Sequence, residues 1–103
     1  MGPPRAFVAT YIMASEPNGF LYVGMTADLP RRVQEHKAGD VDGYACEHGC
    51  TNLVWFERHM RVVDAIAREK RLKKWKRAWK VALIEAANPQ WRDLAADWPD
   101  QRG

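Results

Sequence analysis

Two short apolar stretches joined by a turn stand near the start of the sequence. Phe7 to Ala14 is almost continuously apolar, which predicts a strand covered on both faces. Phe20 to Gly24 predicts a second strand, and the connection between them contains proline followed by Asn18-Gly19, a strong turn signal. The pattern therefore predicts an antiparallel hairpin.

The rest of the pattern predicts one more strand and three helices. The first helix is expected from Leu29-Pro30 to Ala38, because Asp28 can cap its start and glycine follows its end. A third strand is expected over 52–57, and two further helices over 63–75 and 77–87, the last stopped by Asn88-Pro89. The order β-β-α-β-α-α predicts an α+β fold, a small three-stranded antiparallel sheet flanked by helices.

The length of 103 residues predicts one domain spanning 1–103, with a core over about 7–95 and mobile termini. The segment from Ala38 to Thr51 has no sustained period and is long for a connection, which predicts a functional or mobile loop that contacts substrate at the mouth of a site.

Composition narrows the class of protein. The chain is 47% hydrophobic and 28% charged, as in ordinary globular proteins. It has no apolar run near the roughly 18 residues of a membrane span, and nothing in it resembles a signal peptide. We therefore expect a cytoplasmic protein that does not bind membranes, with Cys46 and Cys50 reduced.

Positive charge is concentrated in one stretch, Arg68 to Lys80, which we call the basic segment. It holds eight cations and a single acid. Such a concentration favours a polyanion partner, nucleic acid first, although a solvated helix face would have the same composition. The predicted phosphate contacts are Lys73, Lys74, Lys76, Arg77 and Lys80. Trp75 and Trp79, interleaved with these cations, have a helical spacing that favours core positions over base-stacking surfaces.

Polar residues also fall on stripes that should be buried. In the first helix, Arg32 and His36 share a face with Leu29 and Val33, whereas Arg31, Gln34 and Glu35 lie off that stripe and are expected at the surface. A buried guanidinium needs an anion, either a carboxylate or a ligand phosphate. The alternative is that Arg32 reaches solvent and His36 is a hydrogen-bonded core histidine.

In the second predicted helix, a carboxylate lies on the apolar side that is expected to be buried. Glu69 lies on an arc with four apolar residues, Val62, Ala65, Ile66 and Leu72. There it is expected either to bind a hard metal such as Mg²⁺ or Mn²⁺, or to form a structural salt bridge with Arg32.

The hairpin makes a geometric prediction about its two tyrosines. An even loop, with Ser15 opposite Phe20, would pair Tyr22 with Met13 and make Tyr11 a diagonal neighbour of Tyr22 on the same face, about 7 to 8 Å away. An odd loop without a bulge would put the two rings on opposite faces.

Taken together, these residues resemble the GIY-YIG nuclease domain, in its small stand-alone bacterial form. The resemblance rests on Tyr11, on Tyr22-Val23-Gly24 eleven residues later, on the spacing of Arg32 and His36, and on the "AIAREKRLKKWKRAWKVALIEAANPQW" stretch. It covers roughly 8–94. The first triplet here is Ala-Thr-Tyr, so only its tyrosine is kept, and Met25 replaces a lysine or small polar residue found in some relatives.

The resemblance implies a divalent-metal-dependent endonuclease acting on nucleic acid, first DNA, with low sequence specificity and a role in DNA repair or processing. One Mg²⁺ or Mn²⁺ ion on Glu69 would bind the scissile phosphate. Tyr22 would act as general base or relay to it, Tyr11 would orient the phosphate, Arg32 would stabilise negative charge and His36 would assist proton transfer or position water. Asn88 corresponds to a polar residue near the site. A protein partner is expected to contribute selectivity.

Two alternatives remain open at this point. The same fold could serve as a non-catalytic nucleic-acid-binding module. Separately, Cys46, His48, Cys50 and His59 could form a zinc site, although the C-x-H-x-C spacing matches known structural zinc sites loosely.

Overall fold

A computed structural model describes residues 5–41 and 43–99, so the predictions for the outermost residues of both termini lie outside the described part. The chain forms a three-stranded antiparallel sheet in which the first strand of the sequence lies between the second and the third. The elements in chain order are β1 (Ala9–Ala14), β2 (Leu21–Thr26), α1 (Leu29–Ala38), α2 (Tyr44–Glu47), β3 (Asn52–Arg58), α3 (Val62–Lys73) and α4 (Arg77–Ala87). The predicted α+β fold is confirmed.

The hairpin has the even loop. The backbone N–H of Ser15 donates to the carbonyl of Phe20 at 3.1 Å, and Met13 pairs with Tyr22 while Tyr11 pairs with Gly24. Because side chains alternate along a strand, Tyr11 and Tyr22 lie on the same face of the sheet, which is the first of the two arrangements considered for the hairpin. The tyrosine positions are thus fixed by the length of one turn.

The central strand is covered on both faces, as its continuous apolar sequence predicted. All six residues of β1 are buried. On the tyrosine face, Tyr11 and Met13 pack with Leu29 and Val33 of α1. The opposite face forms a second core that includes Ile12, Val54, Leu72 and Ile84, and thereby joins the sheet to α3 and α4. Each layer of helices is therefore attached to its own side of one small sheet.

Local signals set the ends of α1. The side chain of Asp28 accepts a hydrogen bond from the backbone N–H of Arg31 at 3.2 Å, and Pro30 lies in the first turn. Gly39 ends the helix with φ 76°, in the left-handed region that glycine adopts readily. Both predicted ends are confirmed.

Two expectations for the helices were wrong. The segment 38–51 contains the four-residue helix α2, which is too short to give a periodic pattern. In α3, Val62 and Ile66 are exposed at 45% and 36%, whereas Ala65 and Leu72 are buried. The side of α3 that contacts the sheet is therefore narrower than its apolar arc. Within the described residues, none of the helices is long and apolar enough to cross a membrane.

Candidate active site

The two hairpin tyrosines form the centre of the candidate site. Their ring centroids lie 6.4 Å apart with the ring planes inclined at 45°. Gly24 makes this arrangement possible, because a Cβ atom there would lie 2.6 Å from the Oη of Tyr11 and 3.0 Å from Cε2 of Tyr22. The last residue of the Tyr22-Val23-Gly24 triplet thus provides space for the phenol of the opposite strand, a role that the spacing alone did not predict.

His36 contacts both rings from α1. Its Nε2 lies 3.0 Å from the Oη of Tyr11, and its ring centroid lies 5.6 Å and 5.4 Å from those of Tyr11 and Tyr22. The side chain is 3% exposed. Burial, reinforced by the charge of Arg32, lowers the pKa of His36 to about 4. The imidazole is therefore neutral near pH 7 and can act on substrate only through the tyrosines.

The hydrogen bonding of His36 favours one tautomer. Its Nδ1 is buried and has no hydrogen-bond partner among the described residues. A buried N–H without an acceptor is rarer than an unfilled lone pair, so the proton belongs on Nε2. Nε2–H then donates to the oxygen of Tyr11. In this tautomer the oxygen of Tyr11 accepts, and its hydroxyl proton is not used in the bond to His36.

Tyr11 stays a phenol under these conditions. Burial raises its pKa above the usual value of about 10, Tyr22 and Glu69 add to the rise, and Arg32 opposes it. A tyrosine that holds its proton so strongly is a hydrogen-bond donor and not a base. Arg32 opposes the rise partly through a hydrogen bond to Tyr11.

Arg32 has a different partner from the one expected. Its Nε lies 2.9 Å from Oε1 of Glu35, one helical turn further along α1, so the predicted alternative of a salt bridge with Glu69 is wrong. Glu35 also lies 3.6 Å from Arg31 and is not an ordinary surface residue, and Gln34 is buried. Arg32 remains 39% exposed and lines a cleft of about 330 Å³ at the start of α1.

Glu69 approaches the same edge of the sheet from the other side. β2 is an edge strand that both α1 and α3 contact, so Arg32 and Glu69 flank one strand. The Glu69 side chain is 20% exposed, and its Oε2 lies 3.4 Å from Nζ of Lys73.

The donor set fits one kind of metal ion. The described residues contain no group of three or more His, Cys, Asp or Glu side chains that could enclose a metal. Mg²⁺ commonly binds through one or two carboxylates and completes its shell with water and substrate phosphate. A single accessible carboxylate such as Glu69 fits that mode of binding.

Asn88 has a structural role in the fold. Its amide nitrogen donates to the carbonyls of Val54 and Arg92 at 3.1 Å and 2.9 Å, and its oxygen accepts from the N–H of Arg92 at 3.0 Å. The side chain is 5% exposed and connects the end of α4 to β3. These contacts speak against the catalytic role predicted for Asn88.

The basic segment is mostly open to solvent. Lys73, Lys74 and Lys76 are exposed, and Lys80 is half-buried. The guanidinium of Arg77, by contrast, donates to the carbonyls of Asn18 and Gly19, both at 2.8 Å, and ties α4 to the hairpin turn.

The two tryptophans of the basic segment differ in burial. Trp75 packs against the core between the sheet, α3 and α4, as its helical spacing predicted. Trp79 is 54% exposed with the Lys76 ammonium 5.7 Å from its ring, so its predicted core position was wrong.

The predicted zinc ligands are directed elsewhere. Cys50 is buried with its Sγ 3.7 Å from the carbonyl of Phe20, and burial raises the pKa of its thiol. The Sγ of Cys46 lies 3.7 Å from the carbonyl of Gly39, His48 Nδ1 lies 3.0 Å from the carbonyl of Tyr44, and His59 lies 3.1 Å from Thr10. In the part of the chain that the structure describes, they form no metal cluster.

A comparison with protein-family models matches residues 7–82 to the GIY-YIG catalytic domain. The chain belongs to the GIY-YIG family. This is a nuclease family, so the domain indicates nucleic acid as the class of substrate, and the resemblance expected from the sequence is confirmed.

Small proteins of one group resemble this GIY-YIG domain along most of their length. A UPF0213 protein from Aeromonas salmonicida is 28% identical over 96 residues, which are 93% of this chain and 69% of the relative. A UPF0213 protein from Halobacterium salinarum is 39% identical over 67 residues, 65% of this chain and 87% of the relative. The solution NMR structure of a UPF0213 protein from Bacillus halodurans shares the fold, with a TM-score of 0.53, 22% identity and coverage of 89% of this chain and 98% of that one.

Proposed function

We propose that this GIY-YIG domain is a divalent-metal-dependent endonuclease that hydrolyses phosphodiester bonds in DNA, with low sequence specificity and a role in repair or processing. The observation that carries the proposal is the contact of Tyr11, Tyr22 and His36 on one face of the sheet, with Arg32 and Glu69 on the two helices that contact β2. Hydrolysis of a phosphodiester needs a proton acceptor, charge stabilisation and an electrophilic centre, and these residue types match those needs.

Glu69 is the residue that would hold Mg²⁺ or Mn²⁺. The bound ion supplies Lewis-acid polarisation of the scissile phosphate. Lys73, 3.4 Å from the carboxylate, balances its charge when no ion is bound. Because Glu69 is the one carboxylate that we propose as a ligand, we propose one ion and expect substrate to strengthen its binding.

Tyr22 is the proton acceptor in this proposal. Its side chain is half-buried, so it can reach a water molecule at the surface, whereas Tyr11 is fully buried. Tyr22 would take the proton of the attacking water directly or through a second water. Tyr11, held by His36, would support Tyr22 from inside the fold and so help to orient the phosphate.

Arg32 stabilises the negative charge that develops on the phosphoryl oxygens. Its guanidinium lines an open cleft and is held by Glu35 at Nε and by a hydrogen bond to Tyr11. The part of the guanidinium that faces the cleft would contact the phosphate. Glu35 and His36 are positioning residues, because they act through Arg32 and Tyr11.

Nicking of supercoiled plasmid DNA tests the proposal. With Mg²⁺ or Mn²⁺ present, we expect wild-type protein to nick, and Glu69→Gln, Arg32→Ala and Tyr22→Phe each to lose about 100-fold or more in rate. Glu16→Gln, which makes the same chemical change on the exposed hairpin turn, should retain the wild-type rate. Melting temperatures of all variants exclude loss of folding as the cause.

Undiminished cleavage by well-purified Glu69→Gln protein would contradict the assignment. The competing function is a binding module on the same fold, which predicts salt-sensitive DNA binding and no turnover with any divalent ion. Running a binding assay beside the nicking assay on each sample separates these functions.

A further inference from the structure

Three aromatic rings meet at the surface beside the hairpin turn. We call Phe20, Tyr44 and His48 the aromatic platform. The His48 centroid lies 4.1 Å from that of Tyr44, with the planes only 24° apart, and 4.3 Å from that of Phe20. Phe20 and Tyr44 meet edge to face at 6.2 Å. None of these residues has a part in the proposed hydrolysis.

Much of the aromatic platform is exposed to solvent. Phe20 and Tyr44 are 50% and 45% exposed, because the rings cover one another only in part. Contiguous exposed apolar surface of this kind commonly marks a binding site.

Hydrogen bonds hold the platform in place. The Phe20 backbone N–H donates to Oγ of Ser15 at 2.9 Å, the thiol of Cys50 approaches its carbonyl, and Nδ1 of His48 bonds to the carbonyl of Tyr44. The rings therefore lose little conformational freedom when a ligand binds.

The aromatic platform adjoins the candidate active site along one strand. Phe20 continues the β1–β2 ladder and is two residues before Tyr22, so both side chains lie on the tyrosine face. Two residues of strand span about 7 Å, which equals about two nucleotides of a stacked strand. A base on the platform would thus belong to a nucleotide close to the phosphate bound beside Tyr22.

Positive charge reaches the same place from α4. Arg77 donates to the carbonyl of Gly19, the neighbour of Phe20, and Lys76 and Lys74 beside it are exposed. A strand whose base lies on the aromatic platform therefore passes close to cations that can contact its phosphates. Aromatic faces combined with adjacent cations are the usual means of binding unpaired nucleic acid.

We propose that the aromatic platform is a stacking site for an unpaired nucleobase next to the scissile phosphodiester. The inference rests on the proposed nuclease function and specifies its substrate as nucleic acid with unpaired nucleotides near the cut. Bases inside a duplex already stack on their neighbours and do not offer their faces to a protein. Stacking accepts every base, in agreement with low sequence specificity.

Fluorescence of 2-aminopurine in EDTA tests the stacking without cleavage. The probe is one DNA strand with 2-aminopurine, presented either fully paired or in a three-nucleotide unpaired bulge. We expect the wild-type protein to quench the unpaired 2-aminopurine and to bind the bulged DNA about tenfold more tightly than the duplex. Phe20→Leu and Tyr44→Leu, which keep apolar volume but remove the ring, should lose both the quenching and the preference.

Three further variants make the outcome specific. Tyr44→Phe keeps the ring and should keep the quenching, whereas Met60→Leu alters a 99% exposed side chain elsewhere and should behave as wild type. Trp79→Leu removes the other exposed aromatic candidate. Quenching that persists in both Phe20→Leu and Tyr44→Leu, or that only Trp79→Leu abolishes, overturns the inference.

The nicking assay distinguishes this failure from failure of the nuclease proposal. If plasmid nicking depends on Glu69 but the ring variants quench normally, the nuclease proposal stands and the platform inference is overturned. If 2-aminopurine stacks on the aromatic platform but metal-dependent nicking is absent, the nuclease proposal is overturned, and with it the placement of the base beside a scissile bond.

Discussion

Replacing Gly24 with alanine should displace the tyrosine pair. The added Cβ would lie 2.6 Å from the Oη of Tyr11 and 2.7 Å from its Cζ, whereas ordinary contacts begin at 3.4 Å. The phenol must therefore move by about 0.8 Å, and it has little room to do so because Tyr11 is 0% exposed. Overpacking of this kind costs about 1 to 3 kcal/mol of the free energy of unfolding. A misplacement near 1 Å can reduce catalysis by about 100-fold.

Urea denaturation and plasmid nicking measure the two effects of Gly24→Ala separately. Gly39→Ala is the matched control, because its Cβ would meet nothing within 4 Å and its positive φ alone costs about 1 to 2 kcal/mol. We expect Gly39→Ala to lose stability but keep its nicking rate. The steric argument is refuted if Gly24→Ala matches wild type in both measurements. It is also refuted if the nicking rates of Gly24→Ala and Gly39→Ala fall by the same factor.

Three further predictions concern stability and binding. The pKa of His36 is about 4 in the folded protein and about 6.5 in the unfolded chain. The unfolded chain therefore takes up this proton first, and the free energy of unfolding should fall by up to about 3 kcal/mol as the pH drops from 6.5 to 4. His36→Gln should flatten this dependence in urea melts at each pH. Asn88→Ala should lower the free energy of unfolding by about 1 to 3 kcal/mol but leave nicking by the folded protein intact, and a catalytic loss at unchanged stability would restore its catalytic assignment. Lys76→Ala should reduce the slope of log Kd for DNA against log salt concentration by about 0.9. Arg77→Ala should change that slope less, because its guanidinium holds the hairpin turn. It should instead lower the free energy of unfolding in a urea melt by about 1 kcal/mol.

The hairpin and α1 were predictable because their signals are local. The turn sequence indicated the hairpin but left an even or an odd loop open, and this choice determines which face each tyrosine occupies. Asp28 and Gly39 define the ends of α1 within a few residues of themselves. The inward position of His36 followed from helical periodicity alone. Each of these predictions depends on neighbours in sequence.

The wrong predictions concern which residues a side chain contacts in the folded protein. Arg32 pairs with Glu35 because a partner one turn away costs less side-chain ordering than one on another helix, and sequence periodicity carries no such comparison. Ile66 and Trp79 are exposed. The sequence did not predict this, because an apolar pattern gives the direction of a helix face but not how far the sheet extends beneath that face. A four-residue helix such as α2 has no period to detect.

The separation in sequence between the parts of the site has a consequence for folding. Tyr11 and Tyr22 lie on a hairpin that can close within about microseconds. Glu69 follows Tyr11 by 58 residues and reaches β2 only when α3 packs against the sheet. We therefore expect the proton-handling half of the site to form before the carboxylate that would hold the ion. A chain that is still emerging from the ribosome or only partly folded would thus be unable to cut nucleic acid, and completion of the fold would itself switch on the activity.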